Sequence, residues 1–160
     1  MTTCSANLLL AGINHTALLS ADVERLAEFY VRVFGARVAL DMTEGALWIV
    51  MIDVGRGATL AAFQIEGTEV PRGGLPEFGR GRHDHVALSA ADEGAFRELR
   101  RRLVAEGASD GVITDVGPVQ QFGFTDPDGW ESEVLWMKPG ESWASHRSPA
   151  DWLVLEETDR

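Results

Sequence analysis

Apolar positions along this chain change period twice, from strand-like to helical and back. In the first stretch Val23, Leu26, Ala27, Tyr30, Val33 and Phe34 recur at helical spacing. Asp22 is placed to cap the start of that helix and Gly35 to end it. Three β-like runs follow, Arg37 to Asp41, Leu47 to Val54 and Thr59 to Ile65. In the second stretch Phe96, Leu99, Leu103 and Val104 mark a helix opened by Asp92 and closed by Gly107. Weaker β-like runs then cover Val112 to Val116, Val119 to Thr125 and Glu131 to Met137. The turn Asp126-Pro127-Asp128-Gly129 separates the last two.

The two stretches are copies of one unit. His15-Thr-Ala17-Leu18-Leu-Ser-Ala21-Asp22 is echoed seventy residues later by His85-Val-Ala87-Leu88-Ser-Ala-Ala91-Asp92. Each copy reads as strand, helix and three strands. The expected fold is therefore α+β, two tandem βαβββ modules at residues 10–66 and 82–137. Residues 67–81, within a segment rich in glycine, read as a linker, and residues 138–160 as a tail covering the domain or a partner subunit.

Composition narrows the function. A chain of 160 residues with 45% apolar and 24% charged residues is an ordinary globular protein. Its net charge of −11 disfavours nucleic acid and anionic membrane surfaces as partners. The arginines between Arg97 and Arg102 fall on a helix among glutamate and leucine and read as a solvated face. The longest apolar stretches, such as Ala46 to Ile52, are strand-sized, well short of the roughly 20 residues a membrane helix needs. The N-terminus has no signal-peptide pattern, so the expected location is the cytoplasm. The single cysteine, Cys4, excludes an intramolecular disulfide. A small-molecule substrate is the class that remains.

The repeated histidine carries the candidate chemistry. His15 and His85 occupy equivalent strand positions, and two imidazoles converging from equivalent strands form a plausible metal-binding pair. Glu133 is the best third ligand, because a carboxylate inside the apolar run Ser132-Glu133-Val134-Leu135-Trp136 is costly to bury without a cation or hydrogen bonds. Glu131, two residues earlier and on the same side, competes with it and is also a candidate acid or base. His83 is a candidate catalytic residue beside His85. His146 reads as surface and Tyr30 as helix packing. Trp48, Phe63, Phe122, Phe124, Trp130 and Trp136 are candidates to line an apolar pocket, with core packing explaining most of them equally well.

Gly12-Ile13-Asn14-His15-Thr16-Ala17-Leu18, Phe29-Tyr30-Val31-Arg32-Val33-Phe34-Gly35-Ala36 and Phe124-Thr125-Asp126-Pro127-Asp128-Gly129-Trp130-Glu131-Ser132-Glu133 resemble the vicinal oxygen chelate superfamily. That group includes glyoxalase I, extradiol dioxygenases, fosfomycin-resistance transferases, methylmalonyl-CoA epimerase and bleomycin-binding proteins. The resemblance implies a cupped mixed sheet around a divalent metal, with His15, His85 and Glu133 on ligand positions and, by family habit, a homodimer. The fourth ligand position falls near Ala61 or Ala62, which cannot bind metal, and Gln64 is out of register. That departure points away from glyoxalase I. Two histidines and one carboxylate are the set associated with non-haem Fe(II) oxygenases; Mn, Zn and Ni also suit imidazole and carboxylate. A tyrosine usual in ring-cleaving enzymes is replaced here by Gly123, and after Arg102 the next cation of the second module is Lys138. The expectation is a metal-dependent, dioxygenase-like enzyme acting on an oxygen-chelating small molecule. Lyase, isomerase or transferase chemistry, or metal-free ligand capture, are the alternatives.

Overall fold

The computed structural model describes residues 9–70 and 83–155. Cys4 and most of the 67–81 connection lie outside them. The first module runs β1 (His15–Leu19), α1 (Val23–Phe34), β2 (Arg37–Glu44), β3 (Leu47–Gly55) and β4 (Ala58–Ile65). Its sheet has the order β1-β4-β3-β2, with β1 parallel to β4 and the other pairs antiparallel. The second module repeats the plan with β5 (Ala87–Ser89), α2 (Glu93–Ala105), β6 (Ile113–Asp115), β7 (Val119–Thr125) and β8 (Glu131–Met137).

The tail extends the second sheet. Two 3₁₀ turns, Trp143–Ser145 and Pro149–Asp151, lead into β9 (Leu153–Leu155). β9 pairs antiparallel with β6, giving the order β5-β8-β7-β6-β9. The tail is tied down by Asp115, which accepts from Lys138 Nζ at 2.7 Å and faces Arg147 Nη1 at 3.5 Å. Burial alone would raise the Asp115 pKa; the Lys138 ammonium and the Gly117 N–H more than offset it and hold the carboxyl below its ordinary value.

Capping explains the helix ends. Asp22 accepts from the Arg25 N–H at 3.0 Å and Asp92 from the Ala95 N–H at 2.8 Å. Gly35 ends α1 in the left-handed region at φ 68°. The apolar stripe of α1 is wider than its period suggests, because Phe29 is buried as well. In α2 the opposite holds. Val104, expected to pack, is 41% exposed, and of α2 only Phe96 and Leu103 are fully buried.

The reason lies in how the modules meet. Helix α1 packs on its own sheet and also on the second, where Phe124 of β7 lies 6.4 Å from Phe29 and 5.2 Å from Phe34, centroid to centroid. Phe96 of α2 meets Phe122 edge-on at 5.0 Å. One continuous core results, containing Leu26, Tyr30, Ile52, Phe96, Phe122 and Val134 from both modules. Each buried aromatic ring contributes about 1.5–3 kcal/mol relative to exposure.

A polar latch completes the junction. Asp128, in the β7–β8 turn, accepts from Ser20 Oγ, from the Ala21 N–H at 3.3 Å and from Arg25 Nη2 at 3.0 Å. Ser20 is 1% exposed and has no water to replace that acceptor. Asp128→Ala is therefore expected to destabilise the chain by about 2–3 kcal/mol in urea unfolding. A loss below about 0.5 kcal/mol would mean that the junction stands on apolar packing alone.

Candidate functional site

Cross-strand register defines the face on which the site is built. His15, Ala17 and Leu19 of β1 lie opposite Thr59, Ala61 and Phe63 of β4, so these side chains share one face. Ile49 and Met51 of β3 and Leu40 and Met42 of β2 continue it. The helix covers the other face, where Val50, Ile52, Leu60 and Ala62 are buried. In the second module Ala87 lies opposite Glu133. Ala17 and Ala87 are equivalent in the repeat, so Ala61 occupies the position that Glu133 holds in β8. Gln64 is on the helix face, where its Oε1 accepts from the Val23 N–H at 3.0 Å.

His85 precedes β5 instead of lying within it. It still runs beside β8, because the Glu133 N–H donates to Val86 O at 2.9 Å. Its Nε2 stands 3.5 Å from Glu133 Oε2. Two donors bound at about 2.0–2.2 Å to one ion, with an angle between 90° and 110°, are separated by roughly 3.0–3.6 Å. The spacing therefore fits a shared cation. Gln121 Nε2 donates to Glu133 Oε1 at 3.2 Å, which steadies the carboxylate. A cavity of about 450 Å³ opens over this pair, lined also by Ser109, Asp110, Thr125 and Glu131.

The residue before each histidine fixes its ring. Asp84 Oδ2 lies 2.9 Å from His85 Nδ1, and Asn14 Oδ1 lies 2.9 Å from His15 Nδ1. Both oxygens are acceptors, so each pairs with an Nδ1–H and turns Nε2 away from itself. Neither Asn14 nor Asp84 stands out from the sequence as a partner of its histidine. Their signal was the same seventy-residue offset, one position ahead of where the compared segments begin.

The two halves do not meet within one chain. His15 lines a separate cavity of about 720 Å³, together with His83, Asp126, Asp128 and Trp130. Among the described residues no group of three His, Cys, Asp or Glu side chains is placed to hold a metal ion. His83 belongs to the cavity of His15, whereas Glu131 belongs to that of His85 and Glu133. Of the aromatic candidates, Phe122, Phe124 and Trp136 pack in or against the core. Trp48 also packs against it and donates to Asp41 at 2.7 Å. Tyr30 is 1% exposed, and burial pushes its phenol far above the ordinary range, which removes it from proton transfer. His146 is exposed between Trp143 and Trp152.

The sequence profile of the Glyoxalase/Bleomycin resistance protein/Dioxygenase superfamily matches residues 12–134. No curated protein matches the chain in sequence. Among solved structures, the fold is similar to a glyoxylase/bleomycin resistance protein/dioxygenase domain from Frankia sp. EAN1pec, at 18% identity and a TM-score of 0.68, covering 86% of this chain and 99% of that one. It is also similar to lactoylglutathione lyase from Agrobacterium tumefaciens, at 21% identity and a TM-score of 0.57, over 81% of this chain and 96% of that one. The oxidase ChaP-H2 matches at 19% identity and a TM-score of 0.53, over 81% and 96%. At these identities the likeness concerns the fold. No helix among the described residues is long and apolar enough to cross a membrane.

Asp126, at the mouth of the His15 cavity, gives a pH-dependent expectation. Burial raises its pKa, the negative charge of Asp128 adds to the rise, and N–H donors from Trp130, Asp128 and Gly129 only partly oppose it. A carboxyl whose folded pKa lies above its unfolded value costs stability as pH rises from the ordinary aspartate range through the folded pKa. Asp126→Asn removes that cost and keeps the Oδ1 acceptor for the Asp128 and Trp130 N–H groups. The variant is expected to melt at or above the parent temperature at pH 7, with the gap closing toward about pH 3. A variant that melts lower at pH 7 would contradict this.

Proposed function

The chain belongs to the Glyoxalase/Bleomycin resistance protein/Dioxygenase superfamily, and from that premise we propose that it is a metal-dependent enzyme whose site is completed between two copies. His85 and Glu133 of one subunit and His15 of the other are the ligands in this reading. The observation that carries it is the 3.5 Å approach of His85 Nε2 to Glu133 Oε2, a ligand-like spacing with one imidazole missing. The missing imidazole is presented on an exposed face elsewhere in the same chain. A twofold pairing that brings the His15 face of each subunit to the His85 face of the other would complete both sites at once. The apolar character of the His15 face supports it. Leu19, Leu40 and Met42 on that face are 50%, 43% and 42% exposed, a patch that a second copy would cover.

Two histidines and one carboxylate suit Fe(II), with Mn, Zn or Ni as alternatives, and leave positions open for a substrate that chelates through two oxygens. Such an ion supplies Lewis acidity and, as iron, electron transfer to dioxygen. Oxygenase chemistry is the preferred reading, with lyase, isomerase or transferase chemistry as the alternative. The chain's own part is orientation. Asp84 and Asn14 hold the rings with Nε2 forward, Gln121 holds the carboxylate, and Ala61 leaves space where a fourth ligand would stand. Glu131, lining the same cavity as Glu133, is the nearest candidate for moving a substrate proton.

Protein purified without chelators is expected to contain close to one transition metal per chain, lost in His85→Ala and His15→Ala alike. Asp84→Asn should weaken the metal about 10–100-fold. Heterodimers of His15→Ala with His85→Ala subunits decide where the site is built. One of their two sites keeps all three ligands, so about half of the wild-type metal should return in isolated heterodimers and about a quarter in an equal statistical mixture. No recovery would place the site within one chain. Absence of metal in the parent protein would leave ligand capture without metal as the function.

A further inference from the structure

The repeat also breaks at the two junctions between the modules, where equivalent cavities differ in the charges that line them. Asp128 stands five residues before Glu133, and Arg56 stands five residues before Ala61, so the register that equates Glu133 with Ala61 equates Asp128 with Arg56. The latch of the first junction is therefore replaced by its opposite charge at the second. The groups that bind Asp128 are replaced as well. Ser20, Ala21 and Arg25 correspond to Ala90, Ala91 and Ala95, so the hydroxyl and the guanidinium are gone and only the backbone N–H is kept. That Ala91 N–H has no acceptor among the described residues.

The result is a pocket of about 570 Å³; its counterpart at the other junction holds about 410 Å³ and is lined by Arg25, Arg32, Glu106 and Asp126. Phe34, Val54, Leu88 and Leu99 supply apolar walls, and Arg37, Arg56 and Arg102 line it. Arg37 is matched by Asp53 at 2.6 Å, and Arg102 donates to Glu98 at 2.8 Å and to Val33 O at 2.9 Å. Arg56 has no carboxylate partner among the described residues, so the pocket carries one unmatched positive charge in a chain of net charge −11. A site of this make-up selects an anion, and its walls add affinity for an apolar body.

We propose that this inter-module pocket binds a small organic carboxylate, with Arg56 as the residue that recognises the carboxylate group and the Phe34–Leu99 walls holding its apolar part. The ligand takes the electrostatic place that Asp128 fills at the other junction. This site is separate from the His85–Glu133 cavity and does not depend on a metal.

Benzoate is the probe, with benzyl alcohol and inorganic phosphate as the neutral and the purely ionic controls. Titrations of the full chain followed by amide chemical shifts should show saturable benzoate binding that perturbs Leu88, Ser89 and Leu99. Benzyl alcohol and phosphate should each bind at least tenfold more weakly. Arg56→Gln should weaken benzoate at least tenfold and Arg56→Lys less, while Glu133→Gln should leave it unchanged. Arg56 is an exposed turn residue, so both substitutions keep the fold, checked by an unaltered amide spectrum. Benzoate binding that survives Arg56→Gln, that centres on His85 and Glu133, or that fails to saturate would overturn the assignment.

Discussion

Helix α1 has to serve two sheets, and that constraint orders everything else. Its residues Leu26, Tyr30 and Val33 belong to the core along with Ile52 and Val50 of the first sheet, while Phe29 and Phe34 reach Phe124 of the second. Burial of both aromatic rings on one helix makes the modules inseparable without exposing the core. Each sheet then has its helix side turned inward, and the sides bearing His15 and His85 open into separate cavities. The packing that stabilises the chain is the same packing that keeps His15 apart from His85 and Glu133.

Duplication supplies a second kind of information, because each departure from symmetry identifies a task done in one half only. Glu133 of β8 has an alanine, Ala61, at its equivalent position in β4, so only the second module carries a carboxylate beside its histidine. An aspartate clamps one junction and an arginine stands open at the other. The histidines and the oxygen acceptors on their Nδ1 atoms are kept in both halves. Imidazole orientation is thus the shared inheritance of the modules, and carboxylate supply is where they have diverged.

The repeat, the helix caps and the strand succession were legible in the sequence because they rest on local chemistry. Asp22 and Asp92 act within three residues, and Gly35 acts through its own backbone. The tertiary arrangement was less legible. Period alone put Val104 inside and passed over Phe29, since neither placement depends on its own helix; both follow from where the other module docks. His83 lies in the cavity of His15 and not in that of His85 for a related reason. The chain between Ala87 and His83 is not held as regular strand, so an alternation of two does not carry their side chains to a common cavity. Gln64 shows the rule working in reverse, as strict alternation within β4 assigns it to the helix side, where it is found.

The strands β6 and β2, at corresponding places in the two modules, are protected by different means. β9 occupies the hydrogen-bonding edge of β6, and the Asp115–Lys138–Arg147 group fastens the chain that delivers it. Among the described residues β2 has no such neighbour; its register is interrupted between Val38 and Leu40, and Arg37, Asp41 and Glu44 punctuate it. Irregular pairing and charge are the devices by which an open edge avoids recruiting a strand from another molecule. The segment after Met137 therefore acts as a built-in guard for β6, replacing its edge with the three-residue β9, too short a border to template a long pairing with another molecule.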